Sequence, residues 1–141
     1  MSGPSLKKQD AHTSIHEAAL NEAKDLNQLF KTCLEKDEMD RAMQVAEIIL
    51  EHWESRTLKH AEAEEEGLYQ EMVSEKPKLE KTVHQLTRDH DLMRRIVSQV
   101  KESFEKKKAD YEVLSLMEAL IIIDEIHNED EMNKLLANNE S

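Results

Sequence analysis

Only two glycines and two prolines punctuate the 141 residues, so the chain has little with which to build tight turns or to end helices. Charged residues make up 35% of it, and Glu, Lys, Leu and Ala are abundant. That combination predicts long helices and almost nothing else. No stretch shows the alternation of a strand. The length fits one domain. The expectation is an all-α fold in which residues 6–137 form a single domain, after a disordered N-terminus at 1–5 and before a polar tail at 138–141.

Apolar spacing predicts four helices. The first runs from Leu6 to Leu34 on Ile15, Ala19, Ala23, Leu26 and Phe30. Glu35 to Asp37 break the pattern, and Asp37 offers an N-cap for a second helix from Glu38 to Met72. Its stripe reads Ala46, Ile49, Trp53, Thr57, His60, Glu64, Leu68. Pro77 suits the first turn of a third helix, which carries Leu79, Val83, Leu86, His90, Met93, Val97 and Val100. Lys106 to Lys108 suit its C-terminus. Asp110 is the next N-cap, and the fourth helix shows Val113, Leu116, Met117, Leu120, Ile123, His127, Glu131 and Leu135. Connections this short make neighbours antiparallel, which gives an up-down-up-down antiparallel four-helix bundle.

The second stripe turns polar at His60 and Glu64, where a core position ordinarily holds leucine. Residues i and i+4 share one helical face, so ring and carboxylate can grip one object. His127 and Glu131 repeat the arrangement, and His16 and His90 sit singly on apolar faces. At the helical rise per residue, all four histidines lie roughly 15–20 Å from the same end of such a bundle. Glu64 and Glu131 each lie one turn further along. Taken alone, a histidine on an apolar face is more often a satisfied core residue than a ligand, and HxxxE is common as a surface ion pair. Four histidines and two carboxylates buried at one level are another matter, because that much buried polarity is costly without a partner. A cation supplies one. The candidate metal ligands are His16, His60, Glu64, His90, His127 and Glu131, with His12, four residues before His16, in reserve.

The remaining polar residues read as ordinary. His52 is about 12 Å from the layer and His84 is turned off the core stripe, so both are expected on the surface. Glu62, Glu65, Glu66, Glu125 and Glu129 read as solvated charge. Asp124 is placed equally well to accept the second N–H of His127 or to be an ordinary helix residue. Tyr69 lies near the same end and could reach the centre, with packing as its expected role, and Cys33 is expected at a core or boundary position.

The net charge of −12 argues against nucleic acid and anionic membranes as partners. The longest apolar run, Ala119 to Ile123, is too short to span a bilayer. With one cysteine and no signal peptide, the chain is expected in the cytoplasm, as a monomer or weak dimer. Nitrogen and oxygen donors without thiolate argue against a structural zinc finger or an iron–sulfur cluster. Imidazole with carboxylate suits Fe, Zn, Mn or Cu alike. Six donors exceed what one tetrahedral zinc needs, and carboxylates can bridge two metals.

His60-Ala-Glu-Ala-Glu64 followed by Leu68-Tyr69, then Asp89-His90-Asp91-Leu92, then His127-Asn-Glu-Asp-Glu131, resemble in order and spacing the hemerythrin-like family, also called the HHE cation-binding domain. The resemblance runs from His16 to Leu136. It implies a non-haem di-iron centre, two iron ions ahead of zinc or manganese, with histidine terminal ligands and Glu64 and Glu131 as bridging carboxylates. It further implies that dioxygen, nitric oxide or peroxide binds at an open iron position. The chain departs from the oxygen carriers of the family in two places. Arg94 stands where they have a second third-helix histidine. Met132 stands where they have an aspartate, with Glu131 serving one residue earlier. Unless His12 contributes, the site then has fewer histidines than the carriers, which points away from reversible oxygen carriage. The expected function is a di-iron protein that binds or senses dioxygen or nitric oxide, or handles iron. The alternatives are a di-iron peroxidase or oxidase, and a metal-free helical adaptor.

Overall fold

Helix α1 spans Gly3–Glu35 and so begins before Leu6, taking in Gly3 to Ser5. The computed structural model describes residues 3–137, with side chains from residue 11 onward; Met1, Ser2 and the expected tail at 138–141 lie outside the described residues. The inward face of α1 carries His16, Ala19, Leu20, Ala23, Asn27 and Phe30. Ile15, expected on that face, is 52% exposed, because seating His16 inward turns its neighbour about 100° away.

Asp37 is not an N-cap. It adopts a φ of 56° and closes α1: its N–H donates to Leu34 O at 3.1 Å, and that of Glu38 to Cys33 O at 2.9 Å. Paired bonds of this kind satisfy the last carbonyls of a helix and need one residue in the left-handed region, where aspartate is tolerated. Lys107 ends the third arm in the same way, with a φ of 56°.

The second arm is not one helix. It runs through α2 (Met39–His52), a π-helical turn (Trp53–Thr57), α3 (Leu58–Glu66) and α4 (Leu68–Glu75), the last two broken apart at Gly67. A π turn absorbs one surplus residue, so buried positions recur at Ile49, Trp53, Thr57 and Ala61. Ala61 takes the inward place expected for His60, whose side chain is 30% exposed at the rim. The same lag swings Glu65 toward the bundle.

Pro77–Leu79 form a 3-10 turn leading into α5 (Glu80–Glu105), and all seven positions of the expected third stripe are buried. The side chain of Asp110 caps α6 (Tyr111–Asp130), accepting from Val113 N at 3.2 Å. A second π turn, Glu131–Leu135, extends α6.

Helix α1 packs on α2 and α6, and α5 packs on α6 and on the second arm. This is the all-α antiparallel bundle, with no strand among the described residues. Its apolar interior is split in two. A larger cluster holds Phe30, Ile49, Trp53, Met93, Met117 and Leu120; a smaller one holds Tyr69, Met72, Leu79, Leu86 and Leu135. Buried polar side chains lie between them in sequence along the second, third and fourth arms: Thr57 and Glu64, His90, and Asp124, His127 and Glu131. No helix of the described residues is long and apolar enough to cross a membrane.

Candidate metal centre

Two groups of donors face the interior. His12, His16, His60 and Glu64 form one, and Glu64, His90, His127 and Glu131 the other; within each group one atom per residue lies within 4.8 Å of every other. Helix α1 supplies His12 and His16, α3 supplies His60 and Glu64, α5 supplies His90, and the fourth arm supplies His127 and Glu131. All six residues proposed from the sequence are thus brought together, and His12 joins them as a seventh. Glu64 belongs to both groups.

Three histidine nitrogens surround the Glu64 carboxylate, His12 Nε2 at 3.3 Å, His90 Nε2 at 3.4 Å and His60 Nε2 at 3.5 Å. Yet neither Glu64 oxygen makes a hydrogen bond, nor does Nε2 of His16 or His60. Glu131 is fully enclosed. It contacts His12 Nε2, accepts a hydrogen bond from the Tyr69 hydroxyl, and has His127 Nε2 at 3.3 Å. Nε2 of His90 and of His127 lie 3.1 Å apart. Orphaned buried donors converging on shared carboxylates are what a bound cation would satisfy, and the nitrogen and oxygen set fits Fe, Mn or Zn.

The electrostatics agree. Burial, and then the neighbouring His12, lowers His16 to about 3. Burial and then His127 does the same to His90, also to about 3. Both rings are therefore neutral and ready to coordinate. Burial opposes charge on His127, but its bonds to Asp89 and Glu131 outweigh that and hold it at about 9. The two carboxylates divide the burden of lying side by side. Burial and the charge of Glu131 push Glu64 up to about 11. Glu131 resists its own burial through the bonds from His12 and His127, and stays well below the usual carboxylate range. A cation would let both ionise.

Outer partners fix the rings. His90 Nδ1–H donates to Glu65 Oε2 at 2.7 Å, and Arg94 holds that same oxygen at 2.9 Å. His127 Nδ1–H donates to Asp89 Oδ2 at 3.0 Å. Such acceptors orient metal-binding histidines and raise their basicity. Glu65 is therefore part of the support rather than solvated charge. Asp89, not Asp124, is the acceptor for His127. Asp124 is buried with Oδ1 unpaired, and burial raises its pKa to about 7. Tyr69 does more than pack, since it bonds Glu131 and stacks on His90 with centroids 5.7 Å apart. His52 is not on the surface: it is buried, and its Nε2–H donates to Ala19 O at 2.9 Å. His84 is exposed as expected. Asp89 was findable, being next to His90 on the helix; Glu65 was hidden by the π turn.

Comparisons with curated proteins and with solved structures returned no match. The family model described as the hemerythrin HHE cation binding domain matches residues 10–137. That span includes every donor above. The buried histidine and glutamate groups and this match agree on a metal-binding protein, and the chain belongs to the hemerythrin HHE cation-binding family.

Proposed function

We propose that the chain is a non-haem di-iron protein that binds or senses a small diatomic molecule, dioxygen or nitric oxide, at its bundle core. One observation carries this reading: two donor groups share Glu64, the arrangement expected of two ions joined by a carboxylate. His12, His16 and His60 would hold one ion and His90 with His127 the other. Glu64 and Glu131 would serve both. Iron bound there would supply reversible redox and a position for the ligand. The chain's own part is to hold five rings in orientation, to keep His16 and His90 unprotonated, and to shut bulk water away from Glu131.

The test is iron content per chain after anaerobic and aerobic purification, with the visible spectrum. About two irons per chain, and bands that change on adding nitric oxide, are the expected result. One zinc, or no metal and unchanged stability in chelator, would return the chain to a structural metal site or a metal-free adaptor.

A second reading, a peroxide-consuming enzyme, is favoured by one feature. The Tyr69 hydroxyl donates to Glu131 and so places a proton beside the centre. Sustained peroxide consumption lost in Tyr69→Phe would support it. Stoichiometric bleaching would count against it.

A further inference from the structure

Two grooves approach the His12, His16 and His60 group from outside, one on each flank of His12. The first encloses about 350 Å³ and is lined by His12, His60, Ala63, Gly67, Leu68 and Leu136, together with the carboxylates of Glu64 and Glu71. The second encloses about 330 Å³, with His12, His16, Leu20, Glu125, Glu129 and Met132 among its lining.

The donors differ sharply in cover. The His60 side chain is 30% exposed, against 4% for Glu64, and the donors of the other group are almost wholly enclosed. The least obstructed approach therefore passes over the His60 ring, along the first groove. The sequence keeps that approach open. A helical side chain leans over the turn N-terminal to it, so a residue at 63 would cover His60, and Gly67, at the break between α3 and α4, lines the same groove. Position 67 has no side chain and position 63 only a methyl. A Cβ at Gly67 would already come within 3.2 Å of the Ala63 carbonyl. The walls at Leu68 and Leu136 are apolar, and the chain carries a net charge of −12. Such a groove favours small neutral molecules over anions. The second groove is ringed by Glu17, Glu125 and Glu129.

We propose that the groove over Ala63 and Gly67 is the path by which a small uncharged molecule reaches the His12, His16 and His60 position, and that these two residues set its width. The inference rests on the metal-binding reading above.

The test is the association rate of nitric oxide with the reduced, iron-loaded chain by stopped flow. Iron content and the rate of iron extraction by a chelator are measured alongside. Ala63→Leu is expected to slow association by roughly ten-fold or more with iron content unchanged, and Gly67→Leu to do likewise. Glu129→Leu, in the second groove, leaves the rate as it was. Leu68→Ala widens the first groove and speeds association; it decides the matter if the two filling variants do not load iron. Parental rates in iron-loaded Ala63→Leu and Gly67→Leu overturn the proposal. So does slowing by Glu129→Leu, or, where Leu68→Ala decides, no change in its rate. A parent chain that takes up no iron overturns the metal reading instead, so the two failures are told apart.

Discussion

The Tyr69 hydroxyl donates a hydrogen bond to Glu131 Oε2, tying α4 to the end of the fourth arm inside the bundle. Both side chains are buried, so the bond has a charged acceptor and no competing water. Bonds to charged groups contribute about 1.5–3 kcal/mol. Tyr69→Phe keeps the ring stacked on His90 and removes only the hydroxyl. Urea unfolding of the metal-free chain is expected to show a loss within that range. An unchanged midpoint would mean that Glu131 finds another donor at no cost.

Asp89 holds His127 in one ring orientation through Nδ1. Removing such an acceptor lowers metal affinity by about 10–100-fold. Asp89→Ala is expected to do so in competition with a chromophoric chelator, while Asp124→Ala, whose carboxylate Oδ1 has no hydrogen-bond partner, changes affinity far less. Equal losses would show that Asp124 orients the site after all.

The two donor groups have unequal dependence on α1. His12→Ala removes a donor from the first group only and leaves Glu64, His90, His127 and Glu131 intact. Elemental analysis is expected to find about one ion per chain in that variant. Glu64→Ala takes a donor from both groups and should leave the chain nearly metal-free. Full occupancy in Glu64→Ala would rule out Glu64 as a shared carboxylate.

Metal uptake should release protons. In the metal-free chain His127 is held at about 9 and Glu64 at about 11, above their ordinary 6.5 and 4.5. Each carries a proton at pH 7 that a cation must displace, whereas His16 and His90, lowered to about 3, carry none. Raising the pH toward 9 removes the competing proton from His127, so affinity rises with pH over that window. Calorimetry in buffers of different ionisation enthalpy should find about two protons released per chain at pH 7. By the same sign, the stability His127 gives the metal-free fold is complete below pH 6.5 and is lost as the pH rises through 9.

The helical arms, the Asp110 cap and the stripe of α5 were legible in the sequence because each depends on spacing within a single regular helix. The convergence of His16, His90 and His127 was legible for the same reason, and His60 joins them in level but at the rim, because it follows the π turn. What escaped depended on local departures or on neighbours across the bundle. Ala61 takes the inward place expected for His60, and Glu65 turns in to meet His90, because Trp53–Thr57 is a wider turn than an α-helix allows. Asp37 reads equally as the start of one helix or the end of another, and only its backbone sign decides. His12 and His16 lie one turn apart on one face, and both reach the first donor group. Asp89 was in view as the neighbour of His90, but that it and not Asp124 meets His127 Nδ1 depends on a contact across the bundle.

The wide turn at Trp53–Thr57 has a consequence for length. An ordinary α-helix passes every inserted or deleted residue on to all that follows, turning each by about 100°. A π turn is one residue of slack. Deleting Ser55 or Arg56, both exposed on the outer side of that turn, would let the segment relax to regular α-helix while His60, Glu64 and Glu65 keep their bearings on the bundle. The same deletion at Glu47 in α2 has no slack to draw on and would swing Ile49 and Trp53 out of the core.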